Sequence, residues 1–578
     1  MAETKKDEAS PLHVVVFPWL AFGHIIPFLE LSEQLAKRGH FVTFISAPRN
    51  LARLRPVVPE VRPRIRLAPL PLPRVEGLLD GAESTADVPP EKVELLKVAF
   101  DGLAAPFAAF LAEACAGGGP GEGHARKPDW IVLDFAQHWL PPIADEHGVP
   151  CAAFFILPAA CVVFIGPKAL NDAHPRSAAA DFTVPPPWIP SPLSHLAFRG
   201  HEAEWIAGAW RPNASGVSDA ARIWETTERC PLLVCRCSRE VDGPLCALLG
   251  DLYGKPVLPS GLLAPHDAAA CASSAAGADD GNDGDEETAG LMRWLDAQPG
   301  RSVLYVAFGS EAPLAPEHVR ALPLGAPEAG RGGAAGGFEA RARAAGRGVV
   351  RVGWLLQVRV LAHAAVGAFL THAGWSSLVE SFLFGHPLVM LPLFADQGLT
   401  ARLMAARRVG LEVPWDGPMF GAEDVAATVR RVMVEEEGKV LARNASEMQG
   451  VLWDTARQGS HLPHDRSPPL AAEAGGRSSS DPRRSFAGSC VAAAELRPAP
   501  LPPRGGRPVE LGPASLARRL VRSGGRAPPA CGGGLAAEIR PRGLVRGGGR
   551  AGDLASAAES AAPAAPPSSR RPSGTRST

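Results

Sequence analysis

The chain opens with two short apolar runs separated by an amphipathic segment, and this pattern limits the folds it can adopt. Leu12–Phe17 (LHVVVF) and Phe41–Ser46 (FVTFIS) are largely apolar, as strands buried on both faces of a sheet are. Between them, apolar side chains recur at helical spacing through Arg38, and Pro27 marks the predicted start of that helix. A strand, a helix and a second strand in succession indicate a parallel sheet covered by helices.

The same alternation recurs along the chain and is interrupted once. Residues 264–290 are rich in Ala, Ser, Gly and Asp, which is typical of a linker, and a second alternating set follows them. We therefore predict an α/β protein with two Rossmann-like domains, residues 1–262 and 293–458, joined by a linker over 263–292. A cleft between two such domains is a usual location for a small-molecule site.

Some predicted elements put this organisation to the test. Apolar residues spaced by three and four predict one long helix over Glu91–Cys115. In the second domain, strands are predicted over Ser302–Phe308 and Val349–Val352. The segment 323–348 is atypical, because its Gly, Ala, Arg and Pro residues supply almost nothing to bury. Losing a helix and a strand at this place would leave an edge of the second sheet unpaired.

The last 120 residues differ in composition from the rest. Residues 459–578 contain 18 Arg, no Lys and 8 acidic residues, a net charge of +10 in a chain whose overall charge is −1. Such an Arg-, Gly-, Pro- and Ala-rich segment cannot bury enough apolar area to offset its ordering entropy. We expect a disordered tail, or the product of a coding region read out of frame. The overall charge near zero gives no argument for nucleic-acid binding.

Other signals favour a cytoplasmic protein with reduced cysteines and without a membrane span. The N-terminal residues are polar, and the longest apolar stretch identified, Cys151–Pro167, is short for a span and is interrupted by Pro158. The 10 Cys form no CxxC pair, so Cys235 and Cys237 are interpreted as buried thiols rather than metal ligands. Asp283–Asp285 matches a DxD metal motif, but it lies in the acidic linker and is interpreted as a solvated loop. We expect a monomer that binds no metal.

Residues 354–397 hold the motif that decides the functional prediction. In this 44-residue block, Trp stands at position 1, Gln at 4, His at 19, Gly-Trp at 21–22, Ser at 24, Glu at 27 and Asp-Gln at 43–44. These residue types suit a nucleotide sugar. They offer an aromatic face for uracil, a carboxylate for ribose hydroxyls, and a strand-to-helix junction whose backbone N–H groups can meet a diphosphate. The block resembles the donor-binding signature of the plant family 1 UDP-sugar glycosyltransferases.

The resemblance implies a role for each matching residue. Trp354 would face the uracil ring, Glu380 the ribose, and Asp396 with Gln397 the hydroxyls of the sugar. The diphosphate would be held at the strand-to-helix junction by His372, Gly374 and Ser377, with Ser310 nearby. Trp375 would line the sugar site. The implied donor-binding residues are Ser310, Trp354, Gln357, His372, Gly374, Trp375, Ser376, Ser377, Glu380, Asp396 and Gln397.

The block also departs from the family pattern at four positions. Leu355 and Leu356 stand where the family usually has a small residue and a proline, so a rigid turn is lost. Ala373 replaces a cysteine, a change expected to be harmless. Ser376 replaces an asparagine, and its shorter side chain is expected to weaken a contact with phosphate or ribose.

Residues 17–46 resemble the start of the same family, in particular a subgroup of rhamnosyl- and glucosyltransferases that extend an existing glycoside. On this resemblance His24, in the predicted loop after the first strand, is the catalytic base. Asp134, which ends the strand DWIVLD, is its acidic partner. A neutral imidazole can accept a proton from a hydroxyl, and a carboxylate on its other nitrogen fixes the tautomer.

The resemblance covers about residues 12–458 and implies a GT-B fold. It implies inverting transfer of a hexose, glucose or rhamnose, from a UDP-sugar to a hydroxyl of a small plant metabolite or its glycoside. The UDP-sugar is then a co-substrate, and no cofactor is required. A nitrogen or sulfur acceptor would use the same site. The alternative, favoured by the atypical segment 323–348, is a catalytically impaired product that retains at most nucleotide binding.

Overall fold

The structure is a computed structural model, and its described residues are 10–117, 123–265, 286–309, 312, 318, 322, 348–351, 355–415, 417 and 419–453. Some sequence predictions fall outside these residues. They are the site residues Ser310 and Trp354, the DxD-like Asp283–Asp285, most of the atypical segment (323–347) and the tail (459–578).

The N-terminal half forms a seven-stranded parallel sheet with the strand order β3-β2-β1-β4-β5-β6-β7. Its strands are β1 (His13–Phe17), β2 (Phe41–Ser46), β3 (Ile65–Pro69), β4 (Trp130–Leu133), β5 (Cys151–Phe155), β6 (Leu232–Cys235) and β7 (Val257–Pro259). Val15 and Phe17 enter one hydrophobic core, whereas Val14 and Val16 enter another. Both faces of β1 are therefore covered, as its continuous apolar run predicts.

The C-terminal half forms a parallel sheet whose four described strands have the order β11-β10-β9-β8. They are β8 (Val303–Ala307), β9 (Val366–Thr371), β10 (Leu388–Met390) and β11 (Gly410–Glu412). The predicted α/β class with parallel sheets is confirmed. The strand predicted at Val349–Val352 was wrong for its described part, because residues 349–351 form no strand. Val349 is 37% exposed, so the apolar burial that would favour a strand there is incomplete.

Helices connect the strands of both sheets. In the first half they are α1 (Phe22–Lys37), α2 (Pro48–Ala52), α3 (Val93–Asp101), α4 (Ala104–Ala116), α5 (Leu140–Glu146), α6 (Ala159–Ile165), α7 (Lys168–Ala173), α8 (Gly200–Ala209), α9 (Asp219–Arg229), α10 (Arg239–Asp242) and α11 (Leu245–Tyr253). The later ones are α12 (Glu286–Asp296), α13 (Gln357–Ala362), α14 (Trp375–Phe382), α15 (Gln397–Ala406), α16 (Ala422–Met433) and α17 (Glu436–Trp453). Part of the predicted linker, residues 286–292, is thus helical.

The first helix begins earlier than predicted, with a consequence for the site. It starts at Phe22 rather than at Pro27, and its first turn is closed by the Ala21 carbonyl, which accepts from His24 N and Ile25 N at 2.9 Å each. Pro27 lies inside the helix, where it lacks the N–H for one helical bond. His24 is therefore on a helical turn and not in a loop.

The long helix predicted over Glu91–Cys115 is in fact two helices, α3 and α4, broken at Gly102. A Cβ on Gly102 would lie 2.5 Å from the Pro73 side chain, so the chain approaches that loop closely. Pro106 in the first turn of α4 cannot donate to the Gly102 carbonyl, which ends the continuous bonding pattern. The predicted apolar face is otherwise retained, since Phe100 and Phe107 are fully buried.

Among the described residues, the run Pro90–Ala116 is long and apolar enough to cross a bilayer, with a mean hydropathy of 1.6. A core helix of a soluble protein can have the same length and composition. A different stretch, the apolar run Cys151–Pro167, forms β5 and α6. The absence of a membrane span stays a prediction.

The two halves are joined by a shared core and by ion pairs. Phe17 of β1 and Phe369 of β9 belong to the same hydrophobic cluster. Arg402 of α15 pairs with Glu202 of α8 at 2.6 Å between Nη2 and Oε2. These contacts hold α15, which follows the second sheet, against a segment of the first half.

Candidate active site

The first sheet reverses its strand order between β1 and β4, and such a reversal leaves a crevice at the carboxyl ends of the strands. Phe17 pairs with Leu133 at the last register position, so the segments that follow the two strands emerge side by side. His24 lies on the first turn of α1, and Asp134 directly follows β4. The His24 Nδ1 atom lies 2.7 Å from Asp134 Oδ2. The structure therefore brings together the two residues that the resemblance paired.

Asp134 is held in place by backbone groups as well as by His24. Its Oδ2 accepts a hydrogen bond from Trp19 N at 2.9 Å, and its Oδ1 accepts one from Phe135 N at 2.8 Å. The Asp134 side chain is 3% exposed, whereas that of His24 is 22% exposed. An ionised carboxylate only accepts, so Nδ1 of His24 carries the ring proton and Nε2 is the basic nitrogen.

In the second half, β9 ends at Thr371 and α14 begins at Trp375, so the predicted strand-to-helix junction is present. The His372 ring lies against Gly309 and Gly374, where an added Cβ would crowd the imidazole. Burial lowers the pKa of His372 to about 4. Near neutral pH the ring is therefore uncharged and can offer hydrogen bonds rather than a positive charge.

Two non-glycine residues beside the predicted site have left-handed backbone. Ala373, with φ +64°, stands between His372 and Gly374, and Ala395, with φ +56°, directly precedes Asp396. Such conformations cost roughly 1 kcal/mol or more for a residue with a Cβ, and they concentrate where surrounding structure fixes a functional backbone. The backbone strain thus lies in the two turns that position His372, Gly374 and Asp396.

Three predicted donor-binding residues form one hydrogen-bonded group. Gln357 Nε2 donates to Glu380 Oε2 at 2.8 Å and to Ser377 Oγ at 3.3 Å. Tyr305 of β8, which the sequence analysis did not select, donates its hydroxyl to Gln357 Oε1 at 3.4 Å. The Glu380 carboxylate, which the resemblance assigns to the ribose, is therefore oriented by the Gln357 amide on α13.

The last two residues of the block lie at the start of α15. Gln397 is buried, and its Oε1 accepts from Leu393 N at 2.8 Å and from Phe394 N at 3.1 Å, so its carbonyl holds the turn after β10. Burial raises the pKa of Asp396, and the nearby His24 opposes that shift. Asp396 in the second half and the His24–Asp134 pair in the first half therefore lie within electrostatic reach of each other.

Trp375 and Ser376, at the start of α14, are both bound to Arg236 of the first half. The Trp375 indole donates from Nε1 to the Arg236 carbonyl at 3.0 Å, and the indole is buried. Ser376 Oγ accepts from Arg236 Nη1 at 2.7 Å. Sequence reasoning missed Arg236, which directly follows β6. A charged residue just after a buried strand is the signal that could have identified it.

Comparisons with known proteins identify the family. A family model described as UDP-glucoronosyl and UDP-glucosyl transferase matches residues 339–449, which include the 44-residue block. UDP-glycosyltransferase 91C1 of Arabidopsis thaliana is 37% identical over 456 residues, covering 77% of this chain and 93% of the relative. The chain belongs to the plant family 1 UDP-glycosyltransferases.

This glycosyltransferase is similar to two further proteins. It is 35% identical to the soyasaponin III rhamnosyltransferase of Glycine max, over 77% of this chain and 92% of the relative. A solved Glycyrrhiza uralensis glycosyltransferase, complexed with glycyrrhetinic acid 3-O-monoglucuronide, superimposes with a TM-score of 0.62 at 22% identity. The match covers 78% of this chain and 94% of that one. The structural likeness establishes the GT-B fold.

The glycosyltransferase also buries an acid that sequence reasoning did not select, Glu30 of α1. Glu30 is 4% exposed, and within the described residues its Oε2 makes no hydrogen bond. The Arg236 Nη2 atom lies 3.7 Å from it. Burial raises the pKa of the Glu30 carboxyl to about 8, against the opposing charges of Arg236 and Arg55. In the folded glycosyltransferase Glu30 is therefore protonated at neutral pH.

Glu30→Gln is expected to raise the thermal midpoint at pH 8 and to leave it nearly unchanged at pH 5. Between about pH 4.5 and pH 8 the folded chain keeps a proton that the unfolded chain releases. The contribution of Glu30 to the free energy of unfolding is thus fully present at low pH. It is lost as the pH rises through the pKa that Glu30 has in the folded chain. The loss amounts to roughly 3–5 kcal/mol at pH 8. Thermal unfolding across this pH range measures the effect.

Glu33, one helical turn along α1, provides the control. It is also buried, but it is paired with Arg55 through two 2.8 Å hydrogen bonds. Glu33→Gln should lower the midpoint at pH 8, because it breaks a charged pair. If the difference between the thermal midpoints of Glu30→Gln and the wild type stays constant from pH 5 to pH 8, the buried protonated state of Glu30 is contradicted.

Three potential metal ligands lie together outside the cleft residues of the glycosyltransferase. The ligand atoms of Cys237, Asp242 and Cys246 lie within 4.8 Å of one another. Both Asp242 oxygens already accept backbone hydrogen bonds, from Ala159 N at 2.9 Å and Ser238 N at 3.0 Å. Hydrogen bonds between neighbouring thiols raise the pKa of both cysteines, which disfavours the thiolate that a metal needs. Cys237 is free and buried, as predicted.

Proposed function

We propose that this glycosyltransferase transfers glucose or rhamnose from a UDP-sugar to a hydroxyl of a small plant metabolite or its glycoside, with inversion at the anomeric carbon. His24 is the base and Asp134 its partner. The observation that carries the proposal is the 2.7 Å His24–Asp134 hydrogen bond at the strand-order reversal of the first sheet. The nearby Asp396, from the second half, supports a donor sugar lying beside that base.

The proposed step balances within the two substrates. Nε2 of His24 takes the proton of the acceptor hydroxyl as the acceptor oxygen bonds to the anomeric carbon. The bond from that carbon to the diphosphate oxygen breaks, and UDP leaves with the electron pair. Asp134 stabilises the imidazolium, and the N-terminus of α14 stabilises the charge on the leaving diphosphate.

The donor site is proposed to use the residues of the 44-residue block. Glu380, oriented by Gln357, accepts from the ribose hydroxyls, and Trp354 stacks on uracil. The junction residues His372, Gly374 and Ser377, with Ser310, meet the diphosphate. Trp375 lines the sugar site, where Asp396 and Gln397 bind the sugar hydroxyls. Support comes from the Gln357–Glu380 hydrogen bond and from the resemblance of the block.

The choice between glucose and rhamnose is open to a direct test. The relative named soyasaponin III rhamnosyltransferase supports rhamnose as a donor and a glycoside as an acceptor. We further propose a monomeric, cytoplasmic enzyme that needs no metal, in line with the family resemblance. Full-length protein should be incubated with UDP-glucose or UDP-rhamnose and a panel of terpenoid and flavonoid aglycones and monoglucosides, with EDTA present.

Mass spectrometry should then detect an added hexosyl or deoxyhexosyl unit on an oxygen acceptor. Transfer from one donor with EDTA present supports the proposal and identifies the sugar. UDP binding without transfer to any acceptor of the panel would support the impaired alternative. Product formed only on a nitrogen or sulfur acceptor would contradict the proposed acceptor class.

A further inference from the structure

Arg236 is a buried cation at the boundary between the two halves. It directly follows β6, at the carboxyl end of the first sheet, and it is 2% exposed. Its Nε donates to Leu262 O at 2.7 Å, and its Nη2 donates to Leu263 O at 3.0 Å. The guanidinium is thus fixed by the segment that follows β7, with Nη1 directed at the second half.

Both the backbone and the side chain of Arg236 bind the first residues of α14. The carbonyl accepts from the Trp375 indole at 3.0 Å, and Nη1 donates to Ser376 Oγ at 2.7 Å. The N-cap residue of α14 is Gly374, whose position offers no side-chain cap. Arg236 therefore provides two external attachments for a helix start that lacks one of its own.

The charges around Arg236 explain why a cation is retained in this buried place. Glu30 Oε2 lies 3.7 Å from Nη2, and the Glu380 carboxylate also acts on the guanidinium. Burying an unpaired charge is expensive, whereas one that faces the Glu380 carboxylate and donates to three hydrogen-bond acceptors, with the neutral Glu30 carboxyl beside it, is tolerated. A lysine could carry the charge, but it could not reproduce three separately directed N–H groups.

Ser376 occupies the position where the family usually has an asparagine. From the sequence alone, this shorter side chain is expected to weaken a contact with phosphate or ribose. In the structure its hydroxyl is bound to Arg236. The substitution is thus accompanied by an anchor for the helix, which holds the backbone N–H groups proposed to meet the diphosphate.

We propose that Arg236 is a positioning residue for UDP-sugar binding, acting through Ser376 and Trp375 to fix the N-terminus of α14. The proposal rests on the proposed function, because it assumes that this helix start holds the diphosphate. Arg236 itself need not touch the donor. Its loss should raise the donor KM and the UDP Kd more than it lowers kcat, because the His24–Asp134 pair on the first sheet is unchanged.

The test uses the full chain and UDP as the probe, in a double-mutant cycle. Arg236→Lys, Ser376→Ala and the double variant are compared with the wild type by calorimetric titration with UDP and by donor KM and kcat. Arg236→Lys should weaken UDP binding about tenfold, ~1.4 kcal/mol. Combined with Ser376→Ala it should weaken binding by less than the product of the two single effects, because both variants break the same contact.

Arg222→Lys is the matched control. Arg222 is also fully buried in the first half and binds Asp101 through two hydrogen bonds, of 2.6 and 2.5 Å. This control should lower the thermal midpoint without changing UDP affinity. Ser376→Thr keeps the hydroxyl that Arg236 binds, so this variant should retain the UDP affinity that Ser376→Ala loses.

The outcomes separate this inference from the proposed function. Wild type that binds no UDP would contradict the proposed function itself. If the wild type binds UDP and Arg236→Lys binds it equally well, the role of Arg236 is overturned. The same holds if the loss of UDP affinity in the double variant equals the product of the two single losses. Should Arg236→Lys fail to fold, Ser376→Ala and Ser376→Thr still decide, because equal UDP affinity in the wild type and both variants would exclude the anchor.

Discussion

His24→Ala is expected to lower the transfer rate by roughly 10²–10⁴-fold while UDP binding is retained. Nδ1 of His24 is bound to Asp134 at 2.7 Å, which directs the basic Nε2 to the acceptor hydroxyl in the proposed reaction. Alanine removes the base without touching the residues of α14. Single-turnover transfer, measured beside a UDP titration of the same variant, separates the two effects.

His40 supplies a matched control for this substitution. His40 is partly buried in the loop before β2, where its Nδ1 accepts from Leu12 N at 3.2 Å. That loop lies at the amino end of the sheet, opposite the cleft. His40→Ala should therefore leave the transfer rate within about twofold, consistent with a role confined to local structure. Equal rates for wild type and His24→Ala would exclude His24 as the base.

Asp134→Asn should reduce kcat to a comparable extent without abolishing UDP binding. An amide cannot accept from His24, Trp19 and Phe135 in the way the carboxylate does. It can also donate to Nδ1, which would favour the wrong ring tautomer. An Asp134→Asn variant with wild-type kcat would show that the pair does not act as a unit.

Glu380→Ala is expected to raise the UDP Kd roughly 10–100-fold, the effect of losing one hydrogen-bonded charged group. In the proposed site the carboxylate accepts from ribose, and it also holds Gln357 at 2.8 Å. The donor KM should rise in parallel, whereas kcat at saturating donor should change little, because ribose binding is common to ground and transition states. Titration calorimetry with UDP measures the change directly.

Glu423→Ala is the control for a lost carboxylate. Glu423 is exposed in the first turn of α16. Its removal should shift UDP affinity by less than about twofold, since exposed charges contribute little. A Kd for Glu380→Ala equal to that of this control would refute the assignment of Glu380 to ribose.

The sequence predicted best what local periodicity and fixed spacing control. The apolar runs of β1 and β2 give buried strands because their pattern and their environment agree. His24 and Asp134 are 110 positions apart in the chain, yet each follows a strand. A parallel sheet brings the carboxyl ends of its strands to one edge, which explains why the two residues that the resemblance paired lie within hydrogen-bond distance.

What the sequence could not predict depends on contacts made through space. Arg236 meets Ser376 across 140 positions, and no periodicity links the two. The break at Gly102 depends on the close approach of Pro73, which belongs to a separate loop. Local patterns describe an element and its faces, whereas the partner of a buried charge is set by how distant elements pack.

The central claim is that this chain folds to form a UDP-binding cleft, and thermal unfolding with and without UDP tests it most directly. UDP at about 100 times its Kd should stabilise the folded wild type by roughly 2.7 kcal/mol and raise its midpoint. The same concentration should shift Glu380→Ala much less. A cooperative wild-type transition that is insensitive to saturating UDP, or no cooperative transition, would contradict the account.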